Sequence, residues 1–512
     1  MSLLPFLTIA FGGGTATLLL RRWPLVAAAV GLTAIATAVI AALVVNPGER
    51  LALGGGAIVT TGFLRLFLVL GGGTALLGGV VAVLALPAGW PRNLPGAALI
   101  GLGAAGLGLS LADAGTAVQA SVAAGLAGVI VTARVPATRR GIGVAARELR
   151  AIAIAAGLVL GAVAWFARPA DLLGEIGPDA TVIGVAYLAV VLGIAVRFGA
   201  IPFHLWAARV ADAAPEAALP LILAWLPAVL ALVGLAWIDG SIRSASLAGA
   251  NDLAVERALV AGIGILSFLF GAIAAWIQDD LEHVVGYSIV QDAGIVVLAL
   301  ASIDPQVWQP ARTWIVVLLA LRTAFAVWVV AVRGRFGSRR VSELHGWARR
   351  SPLLGIGLAV IAIGSIGVPG LTAFEARSEI VGLAIGDPLR TLVLAGALLP
   401  LLYYGRLLVV GLDAPRNEIA RAPSDRPVVP GRRVAAGSAS SSAAEVEAVR
   451  RARMRRGWRQ PADGLAVATD IIELNRGPIV AVLVLVLCVV GLAVAAGAFG
   501  LSAAAAESWP SP

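Results

Sequence analysis

The chain has 512 residues, 59% hydrophobic and 13% charged, with a mean hydropathy of +0.94. Soluble domains carry about 25% charged residues, so a soluble enzyme or binding module is excluded and most of the chain belongs in lipid. The formal charge of +9 rests on arginine alone, because the sequence contains no lysine. These arginines gather in alternate loops, which is the pattern of membrane orientation rather than of nucleic-acid binding.

Runs of about 18 or more apolar residues mark membrane helices. Fourteen spans are predicted in chain order, giving an all-α polytopic membrane protein: 3–20, 24–45, 62–86, 94–111, 114–133, 148–167, 181–201, 217–238, 257–276, 284–302, 311–332, 352–386 (interrupted), 389–411 and 477–499. The first span lacks a basic leader and is followed by Arg21-Arg22, unlike a cleaved signal. Glycine runs at 12–14 and 71–73 lie within spans, where they point to close helix packing. Cys488 is the lone cysteine, and His204, His283 and His345 are not at ligand spacing. Neither a disulfide framework nor a metal site is expected, and no nucleotide, flavin or haem motif appears, so the expected cofactors are none.

Arg21-Arg22, 134–150, 333–350 and 413–476 fall on one face, which is therefore expected to be cytoplasmic in a cell membrane, with both termini outside. The opposite loops, such as "RPADLLGEIGPDA" and "SIDPQVWQPAR", are acidic or nearly neutral. The stretch 413–476 begins as a Ser/Ala linker and turns basic; it reads as a solvated connector or as a helix lying on anionic headgroups.

Two spans are broken in related ways, the seventh at Ile201-Pro202 and the twelfth at "GSIGVPGLTAF", with Pro369 and Gly370. Proline removes a backbone donor, and in lipid the freed carbonyls need protein or water. Paired broken helices point to an inverted-repeat transporter with its pathway near the midplane. The expected division is 1–93 for helices 1–3, 94–240 and 257–411 for two inverted five-helix repeats, 412–476 for the loop, 477–499 for helix 14 and 500–512 for a tail. Arg65, Arg197, Arg322 and Arg377 lie in or beside spans. A central arginine such as Arg322 costs about 2.5–3.5 kcal/mol on the most lenient insertion scale, so a hydrated or counter-charged interior is expected around it. Asp292, Glu375 and Glu379 are the carboxylates at hand, the last two sharing a helical face near Arg377. Static ion pairs and a proton pathway both fit these residues singly; their gathering at the helix breaks favours the pathway. His204 reads as a capping histidine or a proton relay.

The stretch "RFGAIPFHLW…APEA" resembles the "K-x-A-x-x-P-F-H-x-W…A-P-T-P" signature of antiporter-like membrane subunits. "DDLEHVVGYSIVQDAG" resembles that family's "D-x-K-R-x-L-A-Y-S-S-I-x-H-x-G", and "IGVPGLTAFEARSEI" its "AGIPPxxGFxxKxxI". The family comprises ion-translocating subunits of complex I (NADH:quinone oxidoreductase) and of Mrp-type cation/proton antiporters, and the chain is most similar to the subunit N (subunit 2) or subunit M type. The resemblance implies a proton pathway through Arg197, His204, Asp292, Arg322, Glu375, Arg377 and Glu379. Arg197 and Arg377 stand at the lysine positions of helices 7 and 12, Arg322 at one of helix 11, and Asp292 where histidine is common. The family's helix-5 glutamate falls near Val122, in a stretch without a carboxylate, and its helix-8 lysine is Ala228. Arginine does not deprotonate in proteins, so Arg197 and Arg377 supply a fixed field and pass no proton on. The implied role is that of a non-redox subunit contributing proton transfer to quinone reduction elsewhere, with other membrane subunits, the bilayer and protons or Na+ as partners. The alternatives are a non-conducting scaffold member and an Mrp-type antiporter subunit.

Overall fold

The computed structural model describes residues 2–53, 56–86, 94–134, 139–166, 180–248, 252–413 and 476–510. Residues 1–413 with 480–512 form one compact unit. The second unit, 414–479, lies almost wholly outside the described residues. The basic loop expected at 412–476 falls there, and the acidic loop at 168–179 is also outside them.

The described chain is helical but for one hairpin. Eleven helices are long and apolar enough to cross a membrane, joined by three shorter apolar ones at Leu94–Ser110, Ala114–Ile130 and Pro352–Ile366. The first part of the chain contains α1 (Leu4–Leu19), α2 (Pro24–Leu43), α3 (Gly62–Ala85), α4 (Leu94–Ser110), α5 (Ala114–Arg134), α6 (Arg139–Phe166), α7 (Ala180–Phe198), α8 (Leu205–Ala211), α9 (Leu226–Trp237) and α10 (Arg243–Ala248). The second contains α11 (Ala254–Ile277), α12 (Leu281–Ala301), α13 (Trp308–Phe336), α14 (Trp347–Arg350), α15 (Pro352–Ile366), α16 (Thr372–Ile385), α17 (Asp387–Ala395) and α18 (Pro400–Leu412). Last come α19 (Arg476–Ala495) and α20 (Leu501–Ala506).

Local chemistry sets several of these ends. Pro24 and Pro352 sit in the first turns of α2 and α15, where the missing N–H costs no helical bond. The Thr61 hydroxyl accepts from Leu64 N at 3.0 Å and caps α3. Gly337, at φ 71°, ends α13 in a left-handed conformation that glycine adopts without penalty.

Burial sorts the bundle into centre and rim. The apolar window of Pro305–Phe336 is 100% buried and that of Leu281–Ala301 94%, against 28% for Leu4–Arg22. Helices with polar or charged residues at mid-span, such as Asp292 on α12 and Arg322 on α13, must be shielded from lipid, and α12 and α13 are surrounded by protein. Small residues let backbones approach. A Cβ on Gly14 would lie 2.9 Å from Gly96 O, and one on Gly294 would lie 2.5 Å from Phe268 N, so α1–α4 and α11–α12 cross in near-backbone contact. Of the glycine runs, Gly14 meets backbone, Gly13, Gly71 and Gly72 are packed tightly against side chains of neighbouring helices, and Gly12 and Gly73 face open space.

Three features depart from a plain succession of spans. Between α2 and α3, β1 (Arg50–Leu53) pairs antiparallel with β2 (Gly56–Val59), Arg50 opposite Val59. The eighth span contains two π-turns, Leu221–Trp225 and Ile238–Ile242, on either side of α9. Residues 500–510 are docked on the bundle instead of trailing free: Phe63 N donates to Glu507 Oε2 at 3.0 Å and Trp509 Nε1 to Ala112 O at 3.2 Å. Arg312 donates to Ala505 O at 3.0 Å and also to Glu507 O, with its guanidinium 3.7 Å from the Phe63 ring centroid. Phe63 and Ala112 begin or end apolar helices, so the carbonyls and amides there gain partners that water would otherwise supply.

Candidate functional site

Arg322 lies at the midpoint of α13 and is completely buried. Its Nε donates to Asp292 Oδ2 of α12 at 2.6 Å, and its Nη1 donates to the Tyr404 hydroxyl of α18 at 2.7 Å. The Tyr404 hydroxyl in turn lies 3.1 Å from Ser365 Oγ, beside the break in the twelfth span. Trp314 Nε1 donates to the Asp292 carbonyl at 3.2 Å, and Tyr403 OH donates to Gln291 Oε1 at 3.1 Å. The charge expected to need a counter-ion has one, and four helices converge on the pair. Arg322 Nη2 and Gln291 Nε2 are buried donors without a hydrogen-bond partner among the described residues, so the centre keeps polar capacity for water.

The twelfth span breaks after α15 at Gly367 (φ 64°) and Gly370 (φ 93°), with Pro369 between them, and resumes as α16. Arg377 reaches back from α16, its Nη2 donating to Ile366 O at 2.6 Å and lying 3.4 Å from Gly367 O. These are carbonyls that the break deprives of helical donors. A Cβ on Gly367 would lie 2.9 Å from that same Nη2, which adds a second reason for glycine there. Arg377 stacks 5.6 Å from the Trp314 ring centroid and lies within Coulombic reach of Asp292. Its buried Nε has no described hydrogen-bond partner. Glu375 and Glu379 do not join this centre. Both are exposed on the opposite flank of α16, while Arg377 is 1% exposed. The hundred-degree step of a helix turns a residue two positions away to the other side.

In the first half, α7 ends at Phe198, Gly199 takes φ 65°, and the chain turns through a cis Ile201-Pro202 bond into α8. Protein satisfies this break: Trp206 Nε1 donates to Val196 O at 2.8 Å and Ile201 N to Ser267 Oγ at 2.9 Å. Pro202 itself is exposed. Arg197 is 3% exposed, stacks 5.6 Å from the Trp206 ring centroid, and its Nη1 lies 3.4 Å from Ile222 O. Ile222 sits in the π-turn at Leu221–Trp225, a local widening that re-aims backbone groups. His204 is half-buried, its ring 6.2 Å from that of Tyr287, and its buried Nδ1 has no described hydrogen-bond partner. It makes no side-chain cap to α8.

Glu148 of α6 supplies a carboxylate that no motif announced. It is completely buried and interacts electrostatically with Arg197. Two glycines of α5 make room for the pair: a Cβ on Gly125 would lie 3.4 Å from Arg197 Nε, and one on Gly128 would lie 2.6 Å from Glu148 Oε1. The carboxylate missing near Val122 on the fifth span thus comes from the sixth, across the small-residue face of the fifth. Arg65 is exposed in the first turn of α3, away from both centres.

A cavity of about 60 Å³ lies between α3, α4, the π-turn and α13. Two waters occupy about that volume in the liquid, but the lining is apolar except for Thr74 and Thr323. Those hydroxyls already donate to Leu70 O at 2.8 Å and Leu319 O at 2.7 Å, and Thr323 accepts from Trp225 Nε1 at 2.9 Å. Such a cavity has little to hold water and is no part of a polar corridor.

Residues 170–402, which include both breaks, match the family described as NADH:quinone oxidoreductase/Mrp antiporter, TM. Over that stretch the chain is similar to this family. NADH-quinone oxidoreductase subunit N 2 of Syntrophobacter fumaroxidans is 31% identical over 255 residues, 48% of this chain and 51% of the relative. The protein of the same name from Acidobacterium capsulatum is 31% identical over 202 residues, 39% and 40% of the two chains. The chain spans about half the length of the curated relatives it matches. A chain of the Mrp complex from a Dietzia species superposes with a TM-score of 0.66 at 17% identity, covering 100% of this chain and 98% of that one. A chain of respiratory complex I from Thermus thermophilus gives 0.58 at 20% identity, covering 80% and 90%. The antiporter-like fold therefore extends beyond the stretch in which the sequences align.

Proposed function

We propose that the chain is an antiporter-like membrane subunit of a proton-translocating, complex I-like enzyme, contributing a proton pathway while quinone is reduced in other subunits. The names of the curated relatives support this reading, and the observation that carries it is the buried Arg322–Asp292 pair tied through Tyr404 and Ser365 to the twelfth-span break. Arginine stays charged, so the proton resides on the carboxylates. Protonating Asp292 weakens its hold on Arg322, and the guanidinium then turns toward its remaining partners. Arg377 adds a fixed positive field beside the break. Arg197 and Glu148 form the corresponding pair in the first half, with His204 as a titratable neighbour. Glu375 and Glu379 are the surface carboxylates beyond the second break, where the pathway meets solvent or a partner subunit.

The eleven long apolar helices and three shorter ones support fourteen spans. Residues 1–93 are the N-terminal helices, 94–240 and 257–411 two inverted repeats, each with a broken helix and a buried arginine beside the break, and 477–499 the fourteenth span. The Arg-rich loops, including 412–476, face the cytoplasm of the cell membrane and both termini lie outside. Other membrane subunits of such an assembly are the partners.

The test is Asp292→Asn in the assembled complex in proteoliposomes, reading protons moved per electron. Lowered stoichiometry with quinone reduction and assembly intact supports the pathway. Unchanged stoichiometry supports the scaffold reading, which the apolar Ala228 favours in the first half.

A further inference from the structure

Away from both broken helices, the arginine-rich face holds a second set of buried charges. Glu216, completely buried just before the eighth span, has its Oε1 in direct contact with Nη1 of Arg333 at the end of α13. The same Nη1 lies 4.0 Å from Oε1 of Glu282, in the first turn of α12 and 4% exposed. Glu282 also accepts from Arg339 Nη1 at 3.1 Å. The next residue, His283, has Nε2 3.2 Å from Asp212 Oδ1, and Arg209 Nη1 approaches Asp212 Oδ2 at 3.5 Å. Two buried carboxylates therefore converge on one guanidinium nitrogen, with a half-buried His–Asp pair beside them.

The charges decide what this cluster does. Arg339 is 53% exposed and more screened by water than Arg333 at 38%, so the cluster comprises two buried carboxylates and one less-screened guanidinium. Fully ionised it carries an excess negative charge in a low-dielectric setting; with one proton it is neutral. Like charges converging on one site hold a proton between them. Glu216 Oε2 is also buried with no hydrogen-bond partner among the described residues, an atom that is costly to leave ionised. Arg333 is 38% exposed while Glu216 is 1% exposed, so one side chain runs from solvent to the buried carboxyl.

We infer that the Glu216–Arg333–Glu282 cluster is a proton-accepting port on the arginine-rich face, with the Asp212–His283 pair as its outer donor. A proton from bulk water reaches His283, whose Nε2 contacts Asp212. It then passes to a carboxyl oxygen of Glu282 or Glu216, and His283 returns to neutral. No other bond forms or breaks. His204 and Tyr287 line the neighbouring side, Tyr287 one turn from His283 on α12, and Asp280 with Arg340 flanks the pair on the solvent side. The port rests on the proton-pathway reading for its use, but its protonation is measurable without transport.

The experiment is infrared difference spectroscopy of the full chain in its membrane assembly, stepped across neutral pH, with proton uptake read in parallel. Wild type is expected to show a protonated-carboxyl band that is lost in Glu216→Gln and in Glu282→Gln. His283→Gln is expected to retain the band with slowed uptake. The pair Glu216→Gln with Arg333→Gln removes one charge of each sign and leaves Glu282 as the excess carboxylate, so the band is expected to persist there, which separates the charge argument from misfolding. A band that survives both glutamate substitutions, or no band in wild type, overturns the port. A band that behaves as expected in a complex that moves no protons leaves the port standing and removes the pathway reading.

Discussion

Replacing Asp292 by alanine is the sharpest test of the reasoning about Arg322. The guanidinium is 0% exposed, loses its Nε partner at 2.6 Å, and keeps only the Tyr404 hydroxyl at 2.7 Å. Its Nη2 is already without a described partner, so two of its three nitrogens would then lack acceptors. Breaking a buried pair from one side costs about 3–5 kcal/mol, and Asp292→Ala is expected in that range. Asp292→Asn keeps an acceptor oxygen and loses the charge, so about 1–3 kcal/mol is expected. Removing both charges while keeping volume, as Asp292→Leu with Arg322→Met, is expected to be near neutral, within about 1 kcal/mol of wild type or more stable. Reversible unfolding in mixed micelles, followed by helical circular dichroism, gives the order of the three. The reasoning fails if Asp292→Ala lies within about 1 kcal/mol of wild type, or if the double variant is the least stable.

In the first half, Glu148→Gln and Arg197→Gln are expected to couple by about 0.5–3 kcal/mol in a double-mutant cycle; a coupling near zero would separate Glu148 from Arg197. Trp206→Phe removes the donor to Val196 O, and a stability loss of about 1 kcal/mol with faster amide exchange confined to the seventh-span break is expected. Gly294→Ala presses a methyl against the α11 backbone, and overpacking of about 1–3 kcal/mol or more should show as reduced thermal stability. Gly12→Ala, with open space around it inside α1, should not lower the melting temperature and should raise it slightly, since alanine is the better helix former. Glu507→Gln weakens the acceptor for Phe63 N, so accelerated proteolysis of residues 500–510 in the assembled protein is expected, and unchanged cleavage would show that the other docking bonds suffice.

The legible part of the sequence was the part governed by local physics. Apolar run length and the two breaks need no knowledge of neighbours: eleven long apolar helices lie among the described residues, and the interruptions fall at Pro202 and at Gly367–Gly370. Arg322 was legible as well, since the cost of a guanidinium at mid-span requires a counter-charge, and Asp292 was the carboxylate of the adjacent span. The limit was reached where two helices had to be set against each other. Glu375 and Glu379 sit two residues from Arg377 in sequence, yet helical rotation carries them to the exposed flank. Glu148 stands far from Arg197 in sequence, at the first residue of the expected sixth span and beside a run of arginines, and no pattern singles it out; only the packing of α6 across Gly125 and Gly128 brings it to Arg197. Glu282 and His283 stood inside a quoted motif where the family pattern has lysine and arginine, and that reversal of charge was a signal available without coordinates.

The two halves solve one electrostatic problem by different routes. In the second half the fixed cation and the carboxylate are bonded directly, at 2.6 Å, between neighbouring central helices. In the first half Arg197 meets a backbone carbonyl of a π-turn and an indole face, and its carboxylate comes from one helix further round. Both carboxylates are buried beside a fixed cation, Asp292 in direct contact with Arg322 and Glu148 across the small-residue face of α5 from Arg197. If protons move through the chain, Glu148→Gln and Asp292→Asn should each impair transfer at neutral pH, and transfer unaffected by Glu148→Gln would show that the first-half carboxylate takes no part.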